Sequence, residues 1–236
     1  MKTILFDLDG TLLPMDIKQF MDLYFHEMYK SFEGIVDKAT LVDHVMKATE
    51  TMVRDTTRQT NEEVFMKAYE ALSGADMVDH KKRWDDFYGG GYKHVKASSK
   101  TSHQMIEAVA LLKNKGYQLV LVTNPLFPKD AIIQRIVWAG LDPEDFAYIT
   151  SFEGNSYCKP QLKMYEEVLE HLGLKAEACM MVGNDVDEDM IAGQLGMTTY
   201  LVTEHILNRG SGPIVVDHQG DYDDFLKYVK ALAPLV

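Results

Sequence analysis

Residues 3–11 read TILFDLDGT, and this stretch decides the fold. Its first part is a short apolar run that ends in acidic residues and Gly10, which predicts a buried strand that stops at a loop. Asp7 and Asp9 follow this strand two positions apart, where a turn of the chain could present both carboxylates to one ligand. Because two such charges repel each other, the pair needs a cation or a shared proton.

C-terminal to residue 97, strand-like and helix-like segments alternate. The strand-like runs are YQLVLVT at 117–123, FAYIT at 146–150, ACMMV at 178–182, TTYLV at 198–202 and a weaker PIVV at 213–216. Helix-like stretches lie among them at 102–115, 128–139, 160–172 and 187–195. This alternation predicts an α/β fold built on a doubly wound parallel sheet.

The segment 15–97 breaks this alternation, because it contains amphipathic helical patterns and no strand-like run between them. We interpret it as a helical cap domain inserted into a core that consists of residues 1–14 and 98–236. The flanking sequences, LLPMD before it and GGGYKHVKASSKTS after it, are typical of loops. Both connections are therefore predicted to be able to flex.

Two of the later strand ends carry polar residues of interest. In a doubly wound sheet, ligands bind beyond the carboxyl ends of the strands. Thr123 and Asn124 end the second strand-like run, where a hydroxyl and backbone N–H groups could bind an oxyanion. Lys159 precedes Pro160 and a predicted helix, and we expect its ammonium group to be exposed there, ready to balance the charge of a phosphoryl group.

The run ACMMV leads into GNDVDED at 183–189. Asp185 and Asp189 are four residues apart at the start of a predicted helix, so they are expected to face the same way. Oxygen ligands without a nearby His or Cys favour a hard cation such as Mg²⁺. Asp185 is the expected ligand because of its spacing to Asp189, and Asp187 remains the alternative.

Composition limits the classes of partner. The 24 basic and 36 acidic residues give a net charge of -12, which argues against nucleic acid or an anionic membrane surface as a partner. No apolar run approaches the length of a signal peptide core or a membrane span. Two cysteines are too few for a disulfide framework. We therefore expect a cytoplasmic protein, and its oligomeric state stays unknown.

Taken in order, DLDGT, VTN, a Lys before Pro and GNDVDED resemble the four motifs of the haloacid dehalogenase-like hydrolases. The resemblance spans the chain and implies a Rossmann-like core with a cap that closes over small substrates. It departs from the commonest pattern at Asn184, which separates Gly183 from Asp185.

The resemblance also implies roles for individual residues. Asp7 would be the nucleophile that becomes an aspartyl phosphate, and Asp9 would be the general acid and base. The metal ligands would be Asp7, the backbone carbonyl of Asp9, and Asp185. Lys159 would bind phosphoryl oxygens, and Asp189 would support Lys159 or the water shell of the metal. The further phosphate-binding residues expected are Thr11, Thr123 and Asn124.

These expectations favour a magnesium-dependent phosphatase that acts on a small phosphorylated metabolite. A phosphosugar mutase, or another phosphotransferase of the same family, has the same motifs and stays open as an alternative. A 2-haloacid dehalogenase is disfavoured by Asp9, because such enzymes need no acid at that position. A phosphate-accepting signalling module, the non-enzymatic alternative, has no use for a leaving-group acid or a substrate lid.

Overall fold

The computed structural model describes residues 1–210 and 213–235. Within these ranges one parallel sheet contains five strands, which in chain order are β1 (Thr3–Phe6), β2 (Gln118–Leu121), β3 (Cys179–Gly183), β4 (Thr198–Val202) and β5 (His218–Gly220). Their spatial order is β2-β1-β3-β4-β5, and each neighbouring pair runs parallel. β1, which forms the start of the stretch TILFDLDGT, therefore lies between β2 and β3.

Helices cover both faces of the sheet, so the predicted doubly wound α/β fold is confirmed. The helices that accompany the strands are α5 (His103–Asn114), α6 (Lys129–Trp138), α7 (Leu162–Leu172) and α8 (Tyr222–Ala231). Successive β1 side chains point to opposite faces: Ile4 and Phe6 belong to the apolar layer that includes residues of α5 and α8. Leu5 belongs to the layer that includes residues of α7. No helix in the described ranges has both the length and the apolar character that a membrane crossing requires.

Between β1 and α5 the chain forms α1 (Ile17–Phe32), α2 (Lys38–Arg54), α3 (Asn61–Ser73), α4 (Met77–Gly89) and a 3-10 helix at Gly91–Ser98. Local signals explain their starts: the Asp16 side chain accepts from the Gln19 N–H at 2.9 Å, and Thr60 and Glu63 form a reciprocal capping box. Aromatic rings fill the interior, with Tyr69 and Trp84 centroids 4.7 Å apart. We call residues 15–97 the helical insertion.

Hydrogen bonds hold the helical insertion where it leaves and re-enters the rest of the chain. The Asp16 N–H donates to the Ser98 carbonyl at 3.0 Å, and the Lys100 N–H donates to the Pro14 carbonyl at 2.9 Å. At the far side, the N–H of Asn61 donates to the carbonyl of Asn155 at 2.8 Å. The insertion is thus anchored at two places around the carboxyl edge of the sheet.

Two predicted strands differ from the structure. The run PIVV at 213–216 is irregular, and the edge strand is instead β5, which begins at His218. FAYIT at 146–150 lies beside β2 and forms one isolated parallel bridge, between Leu121 and Ile149. Its backbone makes only part of a ladder, with Ala147 donating to Leu119 at 2.8 Å and Thr150 donating to Leu121 at 3.0 Å. As an outer neighbour of the sheet it pairs on one side only.

Two helices also differ. The segment predicted as helical at 187–195 is a turn followed by a 3-10 helix that begins at Met190. The turn persists because the N–H groups of Asp187 and Glu188 both donate to Asp185 Oδ1 at 3.0 Å. The C-terminal helix α8 was not predicted, although Asp221 is an N-cap that accepts from the Asp224 N–H at 2.8 Å.

Candidate active site

Three loops meet at the carboxyl edge of the sheet, because β2, β1 and β3 are neighbours. Asp7 follows β1, Thr123 lies just beyond β2, and Asp185 follows β3. The loop after β1 and the loop after β3 meet at Gly10, whose φ of 86° favours glycine. A Cβ at that position would lie 3.0 Å from Cγ of Asn184. Gly10 therefore lets the first and third loops approach each other closely.

Asn184, the residue that departs from the commonest family pattern, links three parts of the site. Its Oδ1 accepts from Thr11 Oγ1 at 3.0 Å, and its Nδ2 donates to the His205 carbonyl at 2.6 Å. Thr11 Oγ1 also lies 3.3 Å from Asp7 Oδ2. Thr11 and Asn184 therefore help to fix the orientation of Asp7.

Lys159 is the buried cation of the site. Its Nζ donates to Asp7 Oδ1 at 2.9 Å and to Asp189 Oδ1 at 2.6 Å. Although burial opposes a charge, Asp189 and Asp7 hold the pKa of Lys159 well above its usual value. The expectation of an exposed lysine is wrong: only 1% of this residue is accessible, because loops from three strand ends surround the ammonium group.

The loop after β3 is organised by its own carboxylates. Asp189 Oδ2 accepts from the backbone N–H of Asp185 at 3.0 Å, while the carboxylate of Asp189 also binds Lys159. Asp185 is buried, and its Oδ2 accepts from Nη1 of Arg209 at 2.6 Å. Asp187 contacts the same arginine: its Oδ2 accepts from the backbone N–H of Arg209 at 3.0 Å and lies 4.0 Å from Nη1 of that residue.

Thr123 and Asn124 lie in the same place but make different contacts. Thr123 is buried, and its carbonyl accepts from Thr150 Oγ1 at 2.7 Å. Asn124 Oδ1 accepts from the Lys159 N–H at 3.2 Å, while its Nδ2 donates to Glu188 at 3.1 Å. The side chain of Asn124 therefore positions the backbone of Lys159.

Asp9 forms an ion pair with Arg135 of α6. Burial raises the pKa of Asp9 above its usual value, while the charge of Arg135 opposes that rise. Arg135 was missed by the sequence reasoning. A signal existed, because Ile132, Arg135 and Ile136 follow the spacing of a buried helix face.

The donor set fits a hard cation. Asp7 and Asp185 supply buried carboxylates at adjacent strand ends, and neither is next to a His or Cys in sequence. The expected ligand set of two carboxylates and one backbone carbonyl therefore contains only two acidic side chains. In the described part of the chain, no three His, Cys, Asp or Glu side chains converge as a metal site. The Arg209 side chain, 58% exposed, reaches Asp185 from the solvent side.

A cavity of about 790 Å³ lies between the helical insertion and the core. Its walls are largely apolar, and they include Tyr24 and Tyr88 from the insertion together with Phe127 and Gln134 from the core. Within the described residues, its lining excludes Asp7 and Lys159. The cavity is thus adjacent to the strand-end loops without containing them.

Comparison with known proteins agrees with this architecture. Residues 1–196 match the family model of the haloacid dehalogenase-like hydrolases. A glyceraldehyde 3-phosphate phosphatase of Methanocaldococcus jannaschii is 28% identical over 225 residues, which span 94% of this chain and 91% of that enzyme. A second glyceraldehyde 3-phosphate phosphatase, from Methanothermobacter thermautotrophicus, is 30% identical over 115 residues. That alignment spans 45% of this chain and only about half of the relative, 50% of its length.

Among solved structures, a HAD phosphatase from Thermococcus onnurineus superposes with a TM-score of 0.62 at 20% identity, covering 100% of both chains. At this identity the likeness concerns the fold. The family match covers most of the chain, and the chain therefore belongs to the haloacid dehalogenase-like hydrolases.

Proposed function

We propose that this haloacid dehalogenase-like hydrolase is a magnesium-dependent phosphatase of a small phosphorylated metabolite, and that Asp7 is its nucleophile. The observation that carries the proposal is the fixed carboxylate of Asp7, which is bound by Lys159 at 2.9 Å. The phosphatase names of the two relatives described above support the same reaction.

The proposed reaction has two displacements. An Asp7 oxygen attacks phosphorus, the ester bond to the leaving oxygen breaks, and Asp9 gives that oxygen its proton. Asp9, now a carboxylate, takes a proton from water as the water oxygen attacks the aspartyl phosphate. Phosphate leaves and both carboxyl groups return to their starting states. Burial raises the pKa of Asp9, although the charge of Arg135 opposes that rise, and the direction is the one that a general acid needs.

Other residues would neutralise and orient the phosphoryl group. Lys159 would share its charge between Asp7 and the phosphoryl oxygens, with Asp189 holding the ammonium group in place. Thr123 is proposed to donate its hydroxyl to a phosphoryl oxygen. Thr11 and Asn124 act through other residues, because their side chains contact Asp7 and the backbone of Lys159.

Mg²⁺ would be held by Asp7, the backbone carbonyl of Asp9, and Asp185. When bound, it would neutralise phosphoryl charge and relieve the repulsion among these acids. Arg209 pairs with Oδ2 of Asp185, so this oxygen would be available to a cation only where the arginine side chain moves away.

We also propose that the helical insertion, residues 15–97, acts as a cap on a core made of residues 1–14 and 98–236. Asp7 is only 7% exposed, and a cap over this edge of the sheet would keep a macromolecular phosphoester from the nucleophile. A small metabolite could enter by a modest opening of the two units.

The test is turnover of an aryl phosphate by metal-stripped protein with and without added Mg²⁺. We expect activity only with the metal, and equal rates in Mg²⁺ and in excess chelator would reject the metal requirement. Asp7→Asn should lower turnover by about 10⁴ or more, since an amide is a poor nucleophile. Acid-quenched intact mass spectra should show an added phosphoryl group on the wild type and none on this variant. Asp22→Asn, at an exposed ion pair with Lys18, is the matched control and should behave as wild type.

A further inference from the structure

Arg135 has an unused recognition edge. Its Nη1 pairs with Asp9, but Nε and Nη2 are buried without a hydrogen-bond partner among the described residues. Arg135 itself is 1% exposed. Leaving donors of a buried guanidinium unpaired is costly, so this edge points to a group that the protein alone does not supply.

The guanidinium is held in a fixed plane. Its carbon lies 4.4 Å from the ring centroid of Phe127 and 5.9 Å from that of Phe20. These rings are themselves in edge contact, with centroids 5.8 Å apart. Because Phe20 belongs to α1 and Arg135 to α6, the helical insertion and the core together set the orientation of the fork.

More unpaired polar atoms lie in the same region. Asp9 Oδ1 is buried without a partner, as is the hydroxyl of Tyr92 within the described chain. The Tyr92 ring stacks on Trp138 of α6 at 5.2 Å. Burial raises the pKa of Tyr92, and the charges of Arg135 and Asp9 act on it in opposite directions. The unpaired atoms thus include donors and an acceptor around one ion pair.

The chemistry of the edge selects a carboxylate. Nε–H and Nη2–H are parallel donors, and this fork matches the two oxygens of a carboxylate better than it matches one hydroxyl or carbonyl oxygen. In the proposed reaction Asp9 gives its proton to the leaving oxygen, so a group beside Asp9 is on the leaving-group side. One guanidinium touches Asp9 with Nη1 and offers its other edge to the ligand, which limits the separation to a short carbon chain.

We infer that Arg135 is a specificity-determining residue, and that the substrate is the phosphate ester of a short hydroxy acid whose carboxylate binds Nε and Nη2. The inference rests on the proposed phosphatase activity and adds the substrate class to it. The cavity of about 790 Å³ is lined by Phe127, the ring on which the Arg135 guanidinium lies, whereas Arg135 and Asp9 are not among its lining residues. The leaving group would therefore reach the buried fork from this cavity when the helical insertion and the core move apart.

Three C3 phosphates provide a direct test, because they differ only in the oxidation state of one carbon: 3-phosphoglycerate, glyceraldehyde 3-phosphate and glycerol 3-phosphate. For the wild-type protein we expect kcat/KM for the carboxylate to exceed that for the alcohol by about 10- to 100-fold, the usual worth of a charge-assisted hydrogen-bond pair. A second pair, 2-phosphoglycolate and 2-hydroxyethyl phosphate, should show the same preference.

Equal rates within each set, or a preference for the aldehyde or alcohol, would overturn the inference and leave the phosphatase proposal intact. So would turnover of an aryl phosphate with none of these substrates. Failure on every phosphate, the aryl ester included, would instead reject the proposed function.

The role of Arg135 is tested by ratios of rates, since the residue also contacts Asp9. In Arg135→Lys, which keeps the charge and loses the fork, the preference for carboxylate should shrink at least severalfold whatever the absolute rate. In Arg135→Gln it should fall close to one. A wild-type preference that both variants retain would remove Arg135 from substrate selection. Circular dichroism establishes that each variant is folded, and the wild-type comparison stands even where one is not.

Discussion

Two buried cationic side chains, Lys159 and Arg135, lie near Asp7 and Asp9, and their surroundings differ. Lys159, in the strand-end region, donates to Asp7 and Asp189 and is enclosed by charged and polar groups of the core. Arg135, at the junction with the helical insertion, has one carboxylate partner, aromatic neighbours and two unpaired nitrogens. In the proposed function the first region acts on the phosphoryl group. In the proposed substrate recognition the second region binds the rest of the ligand, so reaction and selection would be carried by different residues.

The largest expected effect is at Lys159. Lys159→Met should reduce kcat about 10³-fold for every phosphate tested, because the loss affects the common phosphoryl group. It should also lower the free energy of unfolding by about 3 kcal/mol, since Asp7 and Asp189 remain buried without their cation. Steady-state kinetics and urea unfolding measure both. Lys163→Met, at an exposed position one turn later, is the control. A loss of kcat in Lys159→Met that differs between substrates would contradict the proposed difference in role between Lys159 and Arg135.

Asp9 joins the two regions, and its removal should separate the two chemical steps. With an activated aryl phosphate, Asp9→Asn should form the phosphoenzyme but hydrolyse it about 10² to 10⁴ times more slowly, because no base deprotonates the water. Acid-quenched intact mass spectra should then show accumulated phosphoenzyme that hydroxylamine removes. Wild-type turnover of this substrate by Asp9→Asn would mean that Asp9 has a structural role.

Two glycine substitutions compare the packing of the strand-end loops with the packing of the helical insertion. A Cβ on Gly183 would lie 2.6 Å from Cβ of Asp189, so Gly183→Ala should displace Asp189 from Lys159 and cost about 1 to 3 kcal/mol of stability. Gly89, at the end of α4 in the helical insertion, meets no atom within 4 Å. Gly89→Ala should therefore change stability by less than about 0.5 kcal/mol. Thermal unfolding of both variants makes the comparison, and equal effects would contradict it.

The smallest effect concerns pH and the interior of the insertion. His80 is buried, its Nδ1 lies 3.1 Å from the Tyr69 hydroxyl, and burial lowers its pKa. A histidine with a lowered folded-state pKa contributes its full stability above its unfolded pKa of about 6.5 and loses it as the pH falls below that value.

When the pH is lowered from 7.5 to 5.5, the free energy of unfolding should therefore fall more for the wild type than for His80→Asn. The difference per pH unit cannot exceed about 1.4 kcal/mol, the limit for one proton. Acidic groups elsewhere titrate in both proteins, so only the difference between them is informative. Identical changes in the two proteins would place no proton at His80 in this range.

Much of the fold followed from local pattern. The strands β1 to β4 and the helices of the insertion were predicted from apolar periodicity. The family was predicted from the ordered motifs and confirmed by the match to the family model. The errors fell on weak local signals: the edge strand β5, the partial strand at 146–150, and the 3-10 helix at Met190. In each, a few contacts with the sheet or a turn outweigh the intrinsic preference of a short segment.

The sequence by itself determined that Asp7, Thr123 and Asp185 follow neighbouring strands, because parallel strands bring their carboxyl ends to one edge whatever the details of packing. Tertiary structure alone decided that Lys159 is buried and that Arg135 meets Asp9 across 126 residues of chain. Those contacts depend on how α6 is rotated against the sheet and how the helical insertion closes over it. Local spacing can indicate that Arg135 lies on a buried helix face, but it cannot indicate which distant side chain Arg135 meets, and this is why the Asp9 partner was not predicted.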